Sequence, residues 1–144
     1  MAITSAICNS FKAEILKAVH NFTASSGNTF NLALYTSSAT LNKSTTVYIT
    51  TNEVATATGY TAKGKALTSV TPVLSGDTAV CDFANVSWTS ASFTSRGCLI
   101  FNDSVATDPA VCAIDFGGDK TVTSGTFTIE FPAASAGSAI IGIA

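Results

Sequence analysis

The chain has 144 residues, 47% of them hydrophobic and only 11% charged, and a net charge of −2. That length suits one domain with a core large enough to fold unaided, and the composition excludes a disordered chain, which combines low hydrophobicity with high charge. The charge balance argues against a nucleic-acid partner, which would need a basic patch to neutralise phosphates. A surface made of hydroxyls and apolar area is poorly solvated for a free monomer, so part of it is expected to be covered by other subunits.

Met1-Ala2-Ile3-Thr4 lacks the basic and apolar run of a secretory signal, and no apolar stretch is long enough to span a bilayer. The expectation is a soluble product made in the cytoplasm, with no membrane partner. The sequons at Asn21, Asn42, Asn85 and Asn102 are therefore discounted. Cys8, Cys81, Cys98 and Cys112 include no C-x-x-C pair, and with one histidine in the chain a zinc site is not expected. Three of the four lie in apolar segments, which reads as reduced core thiols.

In chain order, Ile7, Phe11, Ile15, Val19 and Phe22 recur at spacings of four and three, and predict a helix over 4–23 with an apolar stripe. Thr4 or Ser5 is the expected N-cap, Lys17 and His20 fall in the last turns, and Ser25-Ser26-Gly27-Asn28 ends the helix. An all-β body over 29–144 follows. Its first strand is 30–36, with Phe30, Leu32 and Leu34 facing inward. Weaker strand signals cover 45–50 and 65–70. Gly76-Asp77 separates 72–74 from 79–83, and 86–88 and 93–101 come next, then 110–116. Gly117-Gly118-Asp119 reads as a turn into 120–123, and Ser124-Gly125 as a two-residue hairpin turn before 126–131. A last strand covers 138–143. Short strands at this spacing predict a single all-β domain over 1–144, an antiparallel β-sandwich of jelly-roll or Greek-key type with one short N-terminal α-helix.

Cys98-Leu99-Ile100-Phe101, Val111-Cys112-Ala113-Ile114 and Ile140-Ile141-Gly142-Ile143 are apolar on both faces. A sandwich strand turns one face to the core, so the other needs a cover. The helix shields part, and a neighbouring subunit is the simplest cover for the rest, which predicts a homo-oligomer. The candidate interface or packing residues are Phe11, Ile15 and Val19 on the helix, Arg96, and Ile140 and Ile141 on the last strand. Arg96 is the only arginine. It is read as a structural ion pair with Asp82 or Glu130, with an intersubunit clamp on a carboxylate as the alternative.

No catalytic site is expected. His20 is the only base for a hydrolytic triad, and no G-x-S-x-G elbow accompanies it. The carboxylates are scattered. Asn102-Asp103-Ser104 with Asp108 lacks the spacing of a calcium loop, and Gly117-Gly118-Asp119-Lys120 precedes a strand where a phosphate loop precedes a helix. No cofactor or metal is expected. Trp88, Tyr35, Tyr48 and Tyr60 could form a sugar-stacking platform, but read better as core.

Certain runs resemble a family of small tailed-phage virion proteins. They are Phe11-Lys12-Ala13-Glu14-Ile15-Leu16-Lys17 with His20-Asn21-Phe22, Phe30-Asn31-Leu32-Ala33-Leu34-Tyr35-Thr36, Gly59-Tyr60-Thr61-Ala62, and the closing 127–132 and 140–144. The resemblance runs from the helix to the last residue and is one of sequence character and arrangement, without a signature motif. It implies a structural component of a bacteriophage virion. The nearest role is a capsid decoration, or cement, protein, which in several phages is a β-sandwich homotrimer seated on the shell. Its partners would be its own copies and the phage major capsid protein, and its place the capsid surface after synthesis in the host cytoplasm. The family brings no catalytic residues. The alternatives are a tail or fibre-associated virion protein and a carbohydrate-binding β-sandwich module.

Overall fold

The computed structural model describes residues 2–57 and 59–144. The chain is mostly β, with antiparallel sheets and one short helix. In order the elements are β1 (Ala6–Ile7), α1 (Asn9–Leu16), β2 (Phe30–Tyr35), β3 (Lys65–Ala66), β4 (Ser69–Ser75), β5 (Thr78–Phe83), β6 (Val86–Asn102), β7 (Ala110–Ile129) and β8 (Ile141–Ile143). One sheet has the strand order β1-β7-β6-β2-β3 and the other β4-β5-β8.

The expected helix over 4–23 is shortened at both ends. Its first residues are drawn into pairing: Ala6 and Ile7 form β1 against Ala113 and Cys112, and Ser5 Oγ accepts the Asp115 N–H at 2.8 Å. Neither Thr4 nor Ser5 caps it; Cys8 stands at the N-cap, and its side chain makes no capping bond to the helix. The helix ends at Leu16, directly after Ile15, because Ala18 adopts φ 58°. Ala18 N–H then reaches Ile15 O at 3.3 Å and Val19 N–H reaches Glu14 O at 3.1 Å, the paired bonds of a Schellman closure. Val19, His20 and Phe22 therefore follow the helix as a turn and are not part of its stripe.

The backbone of the larger sheet is the long hairpin of β6 and β7, joined through 103–109. The short strands expected at 86–88 and 93–101 are one strand, and so are those expected at 110–116, 120–123 and 126–131. The Gly and Ser signals between them mark bulges, not turns. Phe116, Gly117, Gly118 and Asp119 stand against the single residue Arg96 between the pairs Gly97↔Asp115 and Ser95↔Lys120. Further along, β6 advances three residues from Trp88 to Ala91 while β7 advances two from Phe127 to Gly125, and the reverse offset follows between Ala91 and Phe93. Ser90 (φ 49°) and Ser124 (φ 45°) mark the two irregularities. Gly97 is required where β6 passes close to β7 and to the chain ahead of β1, since a Cβ there would run into the Ile114 carbonyl and the Ile3 side chain. Beyond Ala113, among the described residues, no strand pairs with the outer edge of β7.

All six residues of β2 are buried. On one face Phe30 stacks on Phe22 with centroids 4.3 Å apart and meets Phe83 of the smaller sheet at 6.0 Å. On the other, Tyr48 stacks on Phe101 at 4.7 Å and Tyr35 donates its hydroxyl to the Ile49 carbonyl at 2.6 Å. The segment between β2 and β3 thus folds over the second face. The expected strand at 45–50 does not form. This stretch touches the β6–β7 turn through the single bridge Val47↔Pro109 and spends its side chains on covering the sheet. Cys98, Leu99, Ile100, Phe101, Val111, Cys112 and Ala113 are all buried within the one chain. For these residues no neighbouring subunit is needed as cover, while Ile114, the last of the second run, is half-buried beside an open trough. The third differs: Ile141 is buried, but Gly142 and Ile143 are exposed.

Candidate interaction surfaces

The candidate residues separate into packing positions and surface positions. Phe11 is buried against His20 and Phe22, and Ile15 is half-buried against the same core. Val19 is half-buried, and its carbonyl faces the Asn102 amide at 3.4 Å. Ile141 is buried opposite Cys81. Ile140 is half-buried at the wall of an open trough. These residues hold the N-terminal segment and β8 to the core and do not form one surface.

Arg96 meets neither Asp82 nor Glu130. Because Gly97 pairs with Asp115, the neighbouring guanidinium Nε donates to Asp115 Oδ1 at 3.0 Å, with Asp119 Oδ1 3.9 Å from the other end of the fork. The Gly117 N–H donates to the same Asp115 oxygen at 3.0 Å. That backbone bond first, and Arg96 second, hold the Asp115 carboxyl below its ordinary value. The pair therefore ties the Gly117–Gly118 bulge to the strand it interrupts.

The apolar surface lies elsewhere. Leu74 pairs with Ala79 and Ala79 with Ile143, so the three side chains form a row across one face of the smaller sheet. Leu74 is 73% exposed and Ile143 55%, and Val73 at the β4 edge is 56% exposed. A second apolar area is the trough of about 570 Å³ along β7, floored by Ile114, Phe116, Val122 and Phe127 and walled by Ile129 and Ile140. Lys120 and Glu130 also line it. A strand at 72–74 was visible in the sequence, but its exposure depends on β4 being an edge strand, which no local pattern encodes.

The remaining polar groups are used internally. Asp103 and Asp108, the residues of the calcium-like loop, both hold Lys63 Nζ, at 2.9 and 2.8 Å. Their hydrogen bonds raise the Lys63 ammonium pKa. Glu53 receives the hydroxyls of Tyr48 at 2.6 Å and Tyr60 at 2.7 Å and the Lys63 N–H at 2.8 Å. Tyr35, Tyr60 and Trp88 are buried, so they offer no sugar platform. This Glu53 cluster was missed in the sequence because its members lie far from any recognised spacing. All four cysteines are free thiols. Burial pushes Cys8 and Cys81 up to about 11 and Cys112 to about 12, which leaves them poor nucleophiles. Among the described residues no three His, Cys, Asp or Glu side chains converge as metal ligands.

Set against known protein families, curated proteins and solved structures, the chain has no match.

Proposed function

We propose that this chain is a structural component of a bacteriophage virion, a capsid decoration or cement protein that assembles as a homotrimer and bridges major capsid subunits. The observation that carries the reading is the uncovered apolar surface in two places, the Leu74–Ala79–Ile143 row and the trough along β7. Surface of that kind gains free energy when another subunit removes it from water, about 25 cal/mol per Å². The sequence resemblance to small tailed-phage virion proteins supplies the setting. In this reading the two antiparallel sheets form a β-sandwich of jelly-roll or Greek-key type, supported by Phe30 of one sheet meeting Phe83 of the other. Many copies contributing modest contacts stabilise a shell by multivalency, without strong individual affinity. Catalysis has no part in this role.

Sedimentation at micromolar concentration tests assembly, with a trimer expected and a stable monomer counting against it. A virion reconstruction tests location. Density over the capsid faces supports the cement role, and density at the tail vertex alone replaces it with a tail component.

A further inference from the structure

His20 is the chain's single histidine. It is buried behind α1 among aromatic rings, with Phe11 at 4.9 Å, Phe30 at 6.1 Å and Phe22 at 6.4 Å between centroids. Its nitrogens face different groups. Nδ1 lies 3.2 Å from Asn102 Nδ2, and Nε2 lies 3.7 Å from Glu14 Oε1. That second separation is too long for a hydrogen bond, and both atoms are buried without a partner.

The Asn102 amide, itself fully buried, can present only one end to the ring. Its Oδ1 accepts the Ser104 N–H at 3.0 Å, while Nδ2 donates toward Asn28 Oδ1 at 3.0 Å and the Val19 carbonyl at 3.4 Å. A flipped amide would set Oδ1 against two oxygens and abandon Ser104. Nδ2 is therefore a donor with two hydrogens, and its two shorter contacts are Asn28 Oδ1 at 3.0 Å and His20 Nδ1 at 3.2 Å, so Nδ1 presents its lone pair and the ring proton sits on Nε2, facing Glu14. The neutral Nε2–H form is the one that fits.

We propose that His20 is an acid-operated latch: a proton taken up at Nδ1 sets donor against donor at Asn102 and releases α1 and residues 17–29 from the sheets. Asn102 joins Val19, His20 and Asn28 to the end of β6, so three points of the N-terminal segment meet at this amide. Glu14 of α1 is the one carboxylate facing the ring and would favour the cation. Burial opposes it and is the larger effect, so the His20 pKa is lowered. From the other elements the neighbours are Phe30 of β2, Asn102 of β6 and, across a groove of about 400 Å³, the Cys81 thiol of β5. Asp103, beside Asn102, is engaged by Lys63. Because the latched state disfavours the proton, the latch is at full strength above the ordinary histidine value of about 6.5 and weakens as pH falls below it. Release would uncover Phe11 and Phe22 and open the groove toward β5 and β8.

The test is amide hydrogen exchange of residues 9–29 between pH 7.5 and 5, corrected for intrinsic rates, beside an NMR titration of the lone imidazole. The expected result is an Nε2–H tautomer at neutral pH and protection of 9–29 that falls progressively below about pH 6.5, less steeply than the roughly tenfold per pH unit that one proton can give, while β6 stays protected. His20→Gln keeps an acceptor for Asn102 and cannot be protonated, so its protection should stay flat. Glu14→Gln removes the group that favours the cation, which deepens the burial penalty on protonated His20, and its latch should lose more protection over the same range. An Nδ1–H tautomer at neutral pH, or acid loss of protection in His20→Gln equal to the parent, overturns the proposal. So does a Glu14→Gln profile that coincides with the parent.

Discussion

Tyr60 donates its hydroxyl to Glu53 Oε1 at 2.7 Å while the same hydroxyl oxygen accepts the Leu34 N–H at 2.9 Å. One side chain thus joins the covering segment, a carboxylate and the central strand β2. Tyr60→Phe removes both bonds at once and leaves a buried N–H without a partner. The expected cost is about 1–3 kcal/mol, read as a lower urea midpoint with an unchanged slope. Glu53→Gln should cost less than Tyr60→Phe, because the amide oxygen still accepts one hydroxyl. The reverse order would show that the carboxylate, and not the Leu34 bond, carries the contact.

Ala18 occupies a left-handed position that glycine fills without steric penalty. Ala18→Gly keeps the two Schellman bonds and relieves that strain, partly offset by the larger chain entropy of glycine. Stability should rise by up to about 1 kcal/mol in thermal or chemical unfolding. A loss of stability would mean that the exposed methyl group makes a contact worth more than the strain.

Asp115 carries two hydrogen bonds to one carboxylate oxygen, and its depressed carboxyl value makes a stability contribution present above the unfolded value of about 3.9 and lost as pH falls below it. Arg96→Ala should move the Asp115 titration, followed by carboxyl NMR, part of the way back up. Full return is not expected, because the Gly117 N–H is the larger of the two influences. Arg96→Lys should leave overall stability within about 1 kcal/mol, as expected of a part-exposed ion pair.

Leu74 and Ile143 test the proposed assembly without touching the core. Leu74→Glu with Ile143→Thr places polar groups on an already exposed row, so the monomer's unfolding midpoint should change little. Sedimentation should shift toward monomer by at least tenfold in association constant, about 1.4 kcal/mol. An unchanged distribution would move the contact to the β7 trough, where Val122→Glu is the matching variant.

The parts of the fold that were legible in the sequence are those in which a local pattern decides the outcome. Phe30 to Tyr35 is a strand as its apolar run indicates, and Trp88 is core as its flanking Val86 and Phe93 suggest. The long hairpin was read as five short strands because glycine and serine supply the same backbone freedom to a bulge as to a turn. Which of the two forms is settled by the partner strand, as at Ser124, where Gly125 still pairs with Ala91. The helix was read too long for a similar reason. Phe22 does face the core, but from the segment that follows the left-handed residue Ala18. The Arg96 partner follows from a register offset that no single strand contains.

Over the sixteen residues 114–129, no described strand pairs with the outer edge of β7. A flat edge of that length would be a template for fibrillar growth wherever copies crowd together. Three interruptions prevent it. The Phe116–Asp119 bulge throws the backbone out of line, Lys120 places a charge directly after it, and Ser124 breaks the repeat again one turn of the pleat later. The same irregularities that obscured the strand in the sequence thus work against edge-to-edge pairing of copies, a property that matters most at high local concentration.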